Sequence, residues 1–481
     1  MRPKLLFLFP DCWDRTALRG VATLRDEFEI VREGFDLFRF PENARILWLD
    51  ARAYVDRLVR KYRRAGVAGV ISTNEQYGAL IAARVARELG LPGTDPLAVV
   101  HAQHKILARK LTSAALPQAS PRYVTIPWTI GHAAAAQLPY PLFVKPVKAA
   151  YSVLARRVDR AAQLVSHLQF GRWEKYIIRR LVKPFNDLMR DLVPDADACD
   201  AHHLIGEEPL EGVQVNVDGY VHRGVGHCLG VVDAVMYPGT IAFQRFEYPS
   251  RLPETVQREL ERVASRALEA IGFDHGMFNV ELFWRPRDGA ITVIEINPRL
   301  AAQFADLYEK VDGTNPYRLL ADLAVGREPR WIPRAGVHGA AASFVLREFD
   351  GAVKVTPSRA EIHWLRTTHP DAGVQTFIKS GNSRSREMKW LGSYRYAAIN
   401  LGARDRDDLF RRFEAVCANL SFERRVRVDW GATLELLQPG RQAVDTEAQK
   451  SRAATRRPQA MRHSSRRRPT GPAFPWRSRP E

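Results

Sequence analysis

The sequence predicts an α/β protein of several lobes, opening with a parallel sheet flanked by helices. Three observations carry that prediction. The chain has 481 residues, more than one hydrophobic core organises, so two to four lobes are expected. Its first hundred residues alternate short apolar runs with amphipathic segments, the pattern of strands crossing over through helices. Farther along, MFNVELFWR and ITVIEINPR flank Pro286–Arg287–Asp288–Gly289, and the Asp-Gly step marks an antiparallel hairpin.

The elements follow in order. The run from Leu5 to Phe9 reads as a buried parallel strand, stopped by Pro10 and Asp11 and too short for the apolar region of a signal peptide. ARILWL and AGVAGVIST read as two more strands, and Ala51 to Ala65 and Gln76 to Leu89 as helices. The second helix places Leu80, Ile81, Ala83, Val85 and Ala86 at roughly helical spacing. It should stop at Gly90, with Pro92 just beyond. His101 to Leu116 reads as a helix, PLFVKPV as a strand, and Tyr151 to about Cys199 as a small strand–helix–strand module. Leu204 to Asp218 reads as a connection followed by a strand, and Leu252 to Gly272 as an amphipathic helix. A β-rich stretch from Val337 to Glu423 closes with a helix over Asp405 to Leu420.

Composition narrows the setting. The four cysteines, Cys12, Cys199, Cys228 and Cys417, form no C-x-x-C pair, so neither a zinc knuckle nor a disulfide scaffold is indicated and a reducing cytoplasm is expected. No apolar stretch approaches the ~20 residues of a membrane-spanning helix. The net charge is +18, and Arg441 to Glu481 holds ten Arg and one Lys against three acids. That proline-rich tail lacks an apolar period and is expected to stay disordered. Its charge suits at most a weak tether to nucleic acid or an acidic surface, and no recognition motif accompanies it.

The chemistry sits on strands. Glu295 and Asn297 are two apart, so their side chains leave one face, and the hairpin brings Glu281 beside them. Two carboxylates and an amide oxygen make a hard-oxygen site suited to magnesium; the alternative is a salt-bridged sheet surface with Arg299 or Arg285 as counter-charge. Lys145, between apolar neighbours in LFVKPV, must snorkel to water or meet an anion. Lys105 opens the helix HKILARK, where a surface position is the ordinary reading. Glu75, in STNEQYG at a strand end, either faces a ligand or caps the following helix; the cap is the expectation.

Taken in order, these pieces resemble the ATP-grasp superfamily: a Lys, a strand Lys-Pro, E-E-x-L-x-G, a lone strand Glu, then E-x-N-P-R. The likeness is nearer to its carboxylate–amine ligases, with biotin carboxylase and D-alanine–D-alanine ligase more distant. EINPRLAAQ, EYPSRLPE, LGLPGTDPLAVVHAQHK and the closing segment YRYAAINLGARDRDDLFRRFEAVCANLSF carry it over about residues 1 to 425. The resemblance implies an ATP-grasp fold with an N-terminal parallel α/β lobe (1–100) and an ATP-grasp domain (101–330) carrying a small lid (about 151–200). A C-terminal β-rich lobe (331–425) and the basic tail (426–481) would follow.

The resemblance also implies roles. Lys105 and Lys145 would bind ATP phosphates, with Ser152 a further phosphate contact. Glu207 or Glu208, with the backbone near Leu210, would hold adenine. Gln214 stands where such enzymes place a ribose-binding acid. Glu281, Glu295 and Asn297 would ligate magnesium, or manganese in its place, and Arg299 would steady the transferring phosphoryl group or acyl phosphate. The implied activity is ATP-dependent, ADP-forming ligation of a small carboxylate to an amine or other nucleophile, by a homodimer. Two alternatives are a biotin-carboxylase-like carboxylation and a degenerate nucleotide-binding regulatory module. One departure stands out: the loop after Lys145 reads KPVKAAYSVLARR, without the glycines that usually let backbone N–H groups touch phosphate. Lys148 could substitute electrostatically.

Overall fold

The structure is a computed structural model that describes residues 2–37, 39, 41–149, 154–193, 200–349, 358–377 and 392–420. Ser152 and the basic tail lie outside the described residues. Three sheets organise the rest.

The first lobe is built on β1 (Lys4–Leu8), β2 (Glu29–Glu33) and β3 (Gly69–Ile71), ordered β2-β1-β3 and parallel throughout. Every side chain from Leu5 to Leu8 is buried, as a central parallel strand covered on both faces requires. The helix Ala51–Ala65 buries Val55, Leu58, Val59 and Tyr62 on one stripe, and the helix Gly78–Leu89 ends on Gly90 in the left-handed conformation. Two expectations change here. ARILWL is a 3-10 helix, Glu42–Trp48; only Ile46 is buried and Trp48 is 76% exposed, so the run lacks the apolar load of an interior strand. The third strand is EIVRE, an edge strand whose charged residues masked it.

A four-stranded antiparallel sheet follows, ordered β4-β7-β5-β6 from β4 (Tyr123–Ile126), β5 (Leu142–Pro146), β6 (Arg156–Val158) and β7 (Leu204–Glu207). Among the described residues of the expected lid, β6 is followed by two helices, Ala161–His167 and Arg172–Met189.

The largest sheet has eight strands, ordered β12-β11-β8-β9-β10-β13-β15-β14. They are β8 (Val213–His222), β9 (Val225–Met236), β10 (Phe243–Tyr248), β11 (Gly276–Arg285), β12 (Ala290–Asn297), β13 (Ala340–Glu348), β14 (Gly373–Thr376) and β15 (Tyr394–Ala403). The sheet runs across the boundary expected near residue 330, because β13 pairs with β10 and so satisfies the backbone edge that β10 would otherwise expose. The helix Glu254–Ala270 covers one face, where Val215, Val217, Val280 and Leu282 meet Leu260, Val263 and Ala264. The alternate residues of β8 and β11, namely Gln214, Asn216, Asp218, Asn279 and Glu281, take the other face. No helix among the described residues is long and apolar enough to cross a membrane.

Candidate active site

The polar face of β8, β11 and β12 looks toward the four-stranded sheet. In the hairpin register Glu281 stands opposite Glu295 and Asn279 opposite Asn297, so the three residues singled out in the sequence meet. Gln214 donates from Nε2 to Glu281 Oε2 at 3.0 Å. Burial, the Glu295 charge and Glu75 push the Glu281 carboxyl up to about 7. Burial presses Glu295 the same way, but Lys105 and Lys145 overcome it and hold Glu295 below the usual carboxylate range.

The facing wall supplies cations. Lys105 Nζ lies 2.7 Å from Glu295 Oε1 and donates to the Ala149 carbonyl at 3.2 Å. Lys145 meets an acid rather than water: its Nζ is 2.8 Å from Glu207 Oε2. Arg109 donates from Nε to Glu207 Oε1 at 2.6 Å and from Nη2 to the Ile294 carbonyl at 2.6 Å. Burial opposes the Glu207 charge, yet Arg109 and Lys145 together hold that carboxyl at about 2. Arg109 escaped the sequence reading, although it sits four residues after Lys105 and hence on the same helix face.

Glu75 corrects the capping expectation. The side chain of Asn74, not Glu75, accepts from the N–H groups of Tyr77 and Gly78 at the head of the helix. The Glu75 carboxylate turns inward and accepts from Arg299 Nη2 at 2.7 Å. The Asn297 amide stands between two acids, 3.4 Å from Glu281 and 3.1 Å from Glu75. Whichever way that amide is turned, its oxygen meets a carboxylate, a contact that a proton or a cation resolves.

The remaining sequence-derived positions divide. The Glu207 carboxylate is committed to Arg109 and Lys145, and that of Glu208 turns out to Arg122, whose Nε is 2.9 Å away. Leu210 is half-buried in the connection from β7 to β8. Among the described residues no three His, Cys, Asp or Glu side chains converge as a metal centre, so Glu281 and Glu295 form a two-carboxylate face with Asn297 beside it.

A family model described as an ATP-grasp domain matches residues 138–306, which span β5, β6 and β7 of the small sheet, the polar face and the hairpin. The fold is the ATP-grasp fold, and the chain carries an ATP-grasp domain. It is similar to the L-amino acid ligase from Bacillus licheniformis, at a TM-score of 0.63 and 16% identity over 87% of this chain and 98% of that one. It is 27% identical to protein y4rH of Sinorhizobium fredii (strain NBRC 101917 / NGR234) over 256 residues, 51% of this chain and 47% of that protein. Carnosine synthase 1 of Gallus gallus is 28% identical over 269 residues, 52% of this chain and 26% of that protein. The chain thus spans about half the length of one curated relative and about a quarter of the other.

Proposed function

We propose that the protein is an ATP-dependent ligase that activates a carboxylate as its acyl phosphate and transfers the acyl group to an amine, releasing ADP and phosphate. The observation that carries this reading is the convergence of Glu281, Glu295 and Asn297 with Lys105, Lys145 and Arg299 in one cleft. The names of an L-amino acid ligase and a carnosine synthase among the similar proteins support it.

The residues fit magnesium. Of the two buried carboxylates in register, Glu295 has Lys105, whereas Glu281, raised to about 7, has no cation in ion-pair contact among the described residues. Mg²⁺ is ordinarily held by one or two carboxylates plus substrate phosphates. Glu281, Glu295 and the Asn297 oxygen would hold it, and it would supply charge neutralisation between the β- and γ-phosphates. Once Glu295 has a divalent partner, Lys105 is released toward phosphate. Lys145, already shared with Arg109 over Glu207, turns its ammonium to the same anion. With both glutamate side chains committed, adenine falls to the backbone of the 208–210 connection.

The reaction then follows from positioning. A substrate carboxylate oxygen attacks the γ-phosphorus, and the bond from that phosphorus to the β,γ-bridging oxygen breaks, releasing ADP. Arg299 steadies the equatorial oxygens and then the acyl phosphate. The neutral amine attacks the acyl carbon, the carbon–oxygen bond breaks, inorganic phosphate leaves, and the amine proton goes to solvent. Residues 154–193 form the lid that keeps water from the acyl phosphate.

The test is ADP release, first with mixed amino acids, then with bicarbonate and biotin. The wild type should release ADP with amino acids in a magnesium-dependent way. Glu295→Ala and Glu295→Gln should each fall by about 10²-fold or more while remaining folded by circular dichroism. Near-normal turnover in both variants would remove Glu295 from the metal face, and turnover with bicarbonate and biotin alone would replace the amine by the carboxylation reading.

A further inference from the structure

Lys148 has no counterpart among the charges that balance one another in this cleft. Lys105 has Glu295, Lys145 and Arg109 share Glu207, and Arg299 has Glu75. The Lys148 side chain is 4% exposed. Its Nζ donates to the Glu75 carbonyl at 3.0 Å and stands 5.2 Å from the centre of the Phe185 ring, on the helix Arg172–Met189. Among the described residues no carboxylate lies in ion-pair contact with it. An ammonium has three donors, and a buried one is costly unless they are used.

The position has a second mark. Lys148 lies three residues after Lys145, where the sequence lacks the glycines that usually present backbone N–H groups to phosphate. Its electrostatic neighbours are Glu75, Lys105, Glu295 and Arg299; the last three are the groups assigned above to metal and phosphate, and Glu75 is the partner of Arg299. Burial, only partly offset by Glu75, draws its ammonium down to about 7, consistent with a cation that awaits an anion.

We propose that Lys148 is an anion-binding residue of this cleft, taking a phosphate or carboxylate oxygen of the reactants in place of a glycine-rich loop. The inference rests on the nucleotide-dependent ligase reading. The anionic oxygen has two sources, the γ-phosphate of ATP and the carboxylate of the acyl substrate, and both use the same donors.

Calorimetric titration of the full chain with Mg-ATP and Mg-ADP, together with the KM for the carboxylate, separates them. For Lys148→Met, a fall of about tenfold or more in ATP affinity with ADP affinity unchanged assigns the γ-phosphate. A similar rise in carboxylate KM with both nucleotide affinities unchanged assigns the substrate. Lys148→Arg should recover part of either loss, which a packing role for the lysine stem would not produce. Lys148→Gln supplies the same comparison if the methionine variant folds poorly. Wild-type affinities and KM retained in both neutral variants would overturn the inference and leave Lys148 as a tether of the Glu75 loop. A wild type that binds neither nucleotide would overturn the ligase reading itself and the inference with it.

Discussion

The two walls of the cleft handle buried charge in opposite ways. On the small sheet, Glu207 is clasped by Arg109 and Lys145 and held at about 2. On the large sheet, Glu281 faces Glu295 across the hairpin and is raised to about 7. The first wall sets two cations against one carboxylate, and that carboxylate is fully paired without a ligand. The second pairs Glu295 with Lys105 but, among the described residues, gives Glu281 no cation in ion-pair contact; on the proposed reading a metal ion would supply it. On the proposed reading, these buried carboxylates divide into structural and ligand-seeking members by their counter-ions, not by their depth.

The sharpest way to break this comparison is to neutralise each wall in turn. Glu207→Gln leaves Arg109 and Lys145 buried without their carboxylate and should lower unfolding stability by about 3–5 kcal/mol in urea denaturation at pH 7.5. A negligible loss would mean that both cations find water. Glu281→Gln should act the other way, raising apo stability by on the order of 1 kcal/mol at pH 8 while losing the magnesium-induced rise in melting temperature expected of the wild type.

The pH dependence gives these effects opposite signs. A carboxyl raised from its ordinary 4.5 to about 7 on folding binds more protons in the native state across that window. Its stabilising share is therefore present at low pH and lost as pH rises toward 7. The gain from Glu281→Gln should shrink toward pH 4.5. Glu207, held down at about 2, contributes stability above its ordinary range that is lost as pH falls from about 4.5 toward 2, and its variant should show the smallest deficit in acid. The smallest effect belongs to the exposed pair. Arg122 is 91% exposed beside Glu208, so Arg122→Ala should change stability by less than about 0.5 kcal/mol.

Much of this was legible in the sequence where local rules decide. The meeting of Glu281, Glu295 and Asn297 follows from a two-residue period and an Asp-Gly turn, both short-range features. The parallel first strand and the Gly90 stop are local as well. The readings that failed depend on partners far along the chain. ARILWL carries strand-like residues, but only Ile46 finds a core. Glu75 looked like a helix cap because the sequence does not show that Asn74 takes that place or that Arg299 lies opposite. Glu207 and Glu208 were both open to adenine in the sequence; their ion pairs with Arg109, Lys145 and Arg122 come from tertiary folding.

The Arg299–Glu75 contact joins residues 224 positions apart, and Arg109 reaches the Ile294 carbonyl across 185. Contacts of such long range form late, after the local elements on either side exist. During synthesis the first lobe emerges well before the hairpin, so Glu75, Glu281 and Glu295 are not crowded together until the chain has been made past residue 297. Their mutual repulsion thus weighs on the final docking step rather than on the early ones. On the proposed reading, Mg-ATP, binding only the finished cleft, would pull that last step forward by mass action and so would act as a folding aid for the newly made chain.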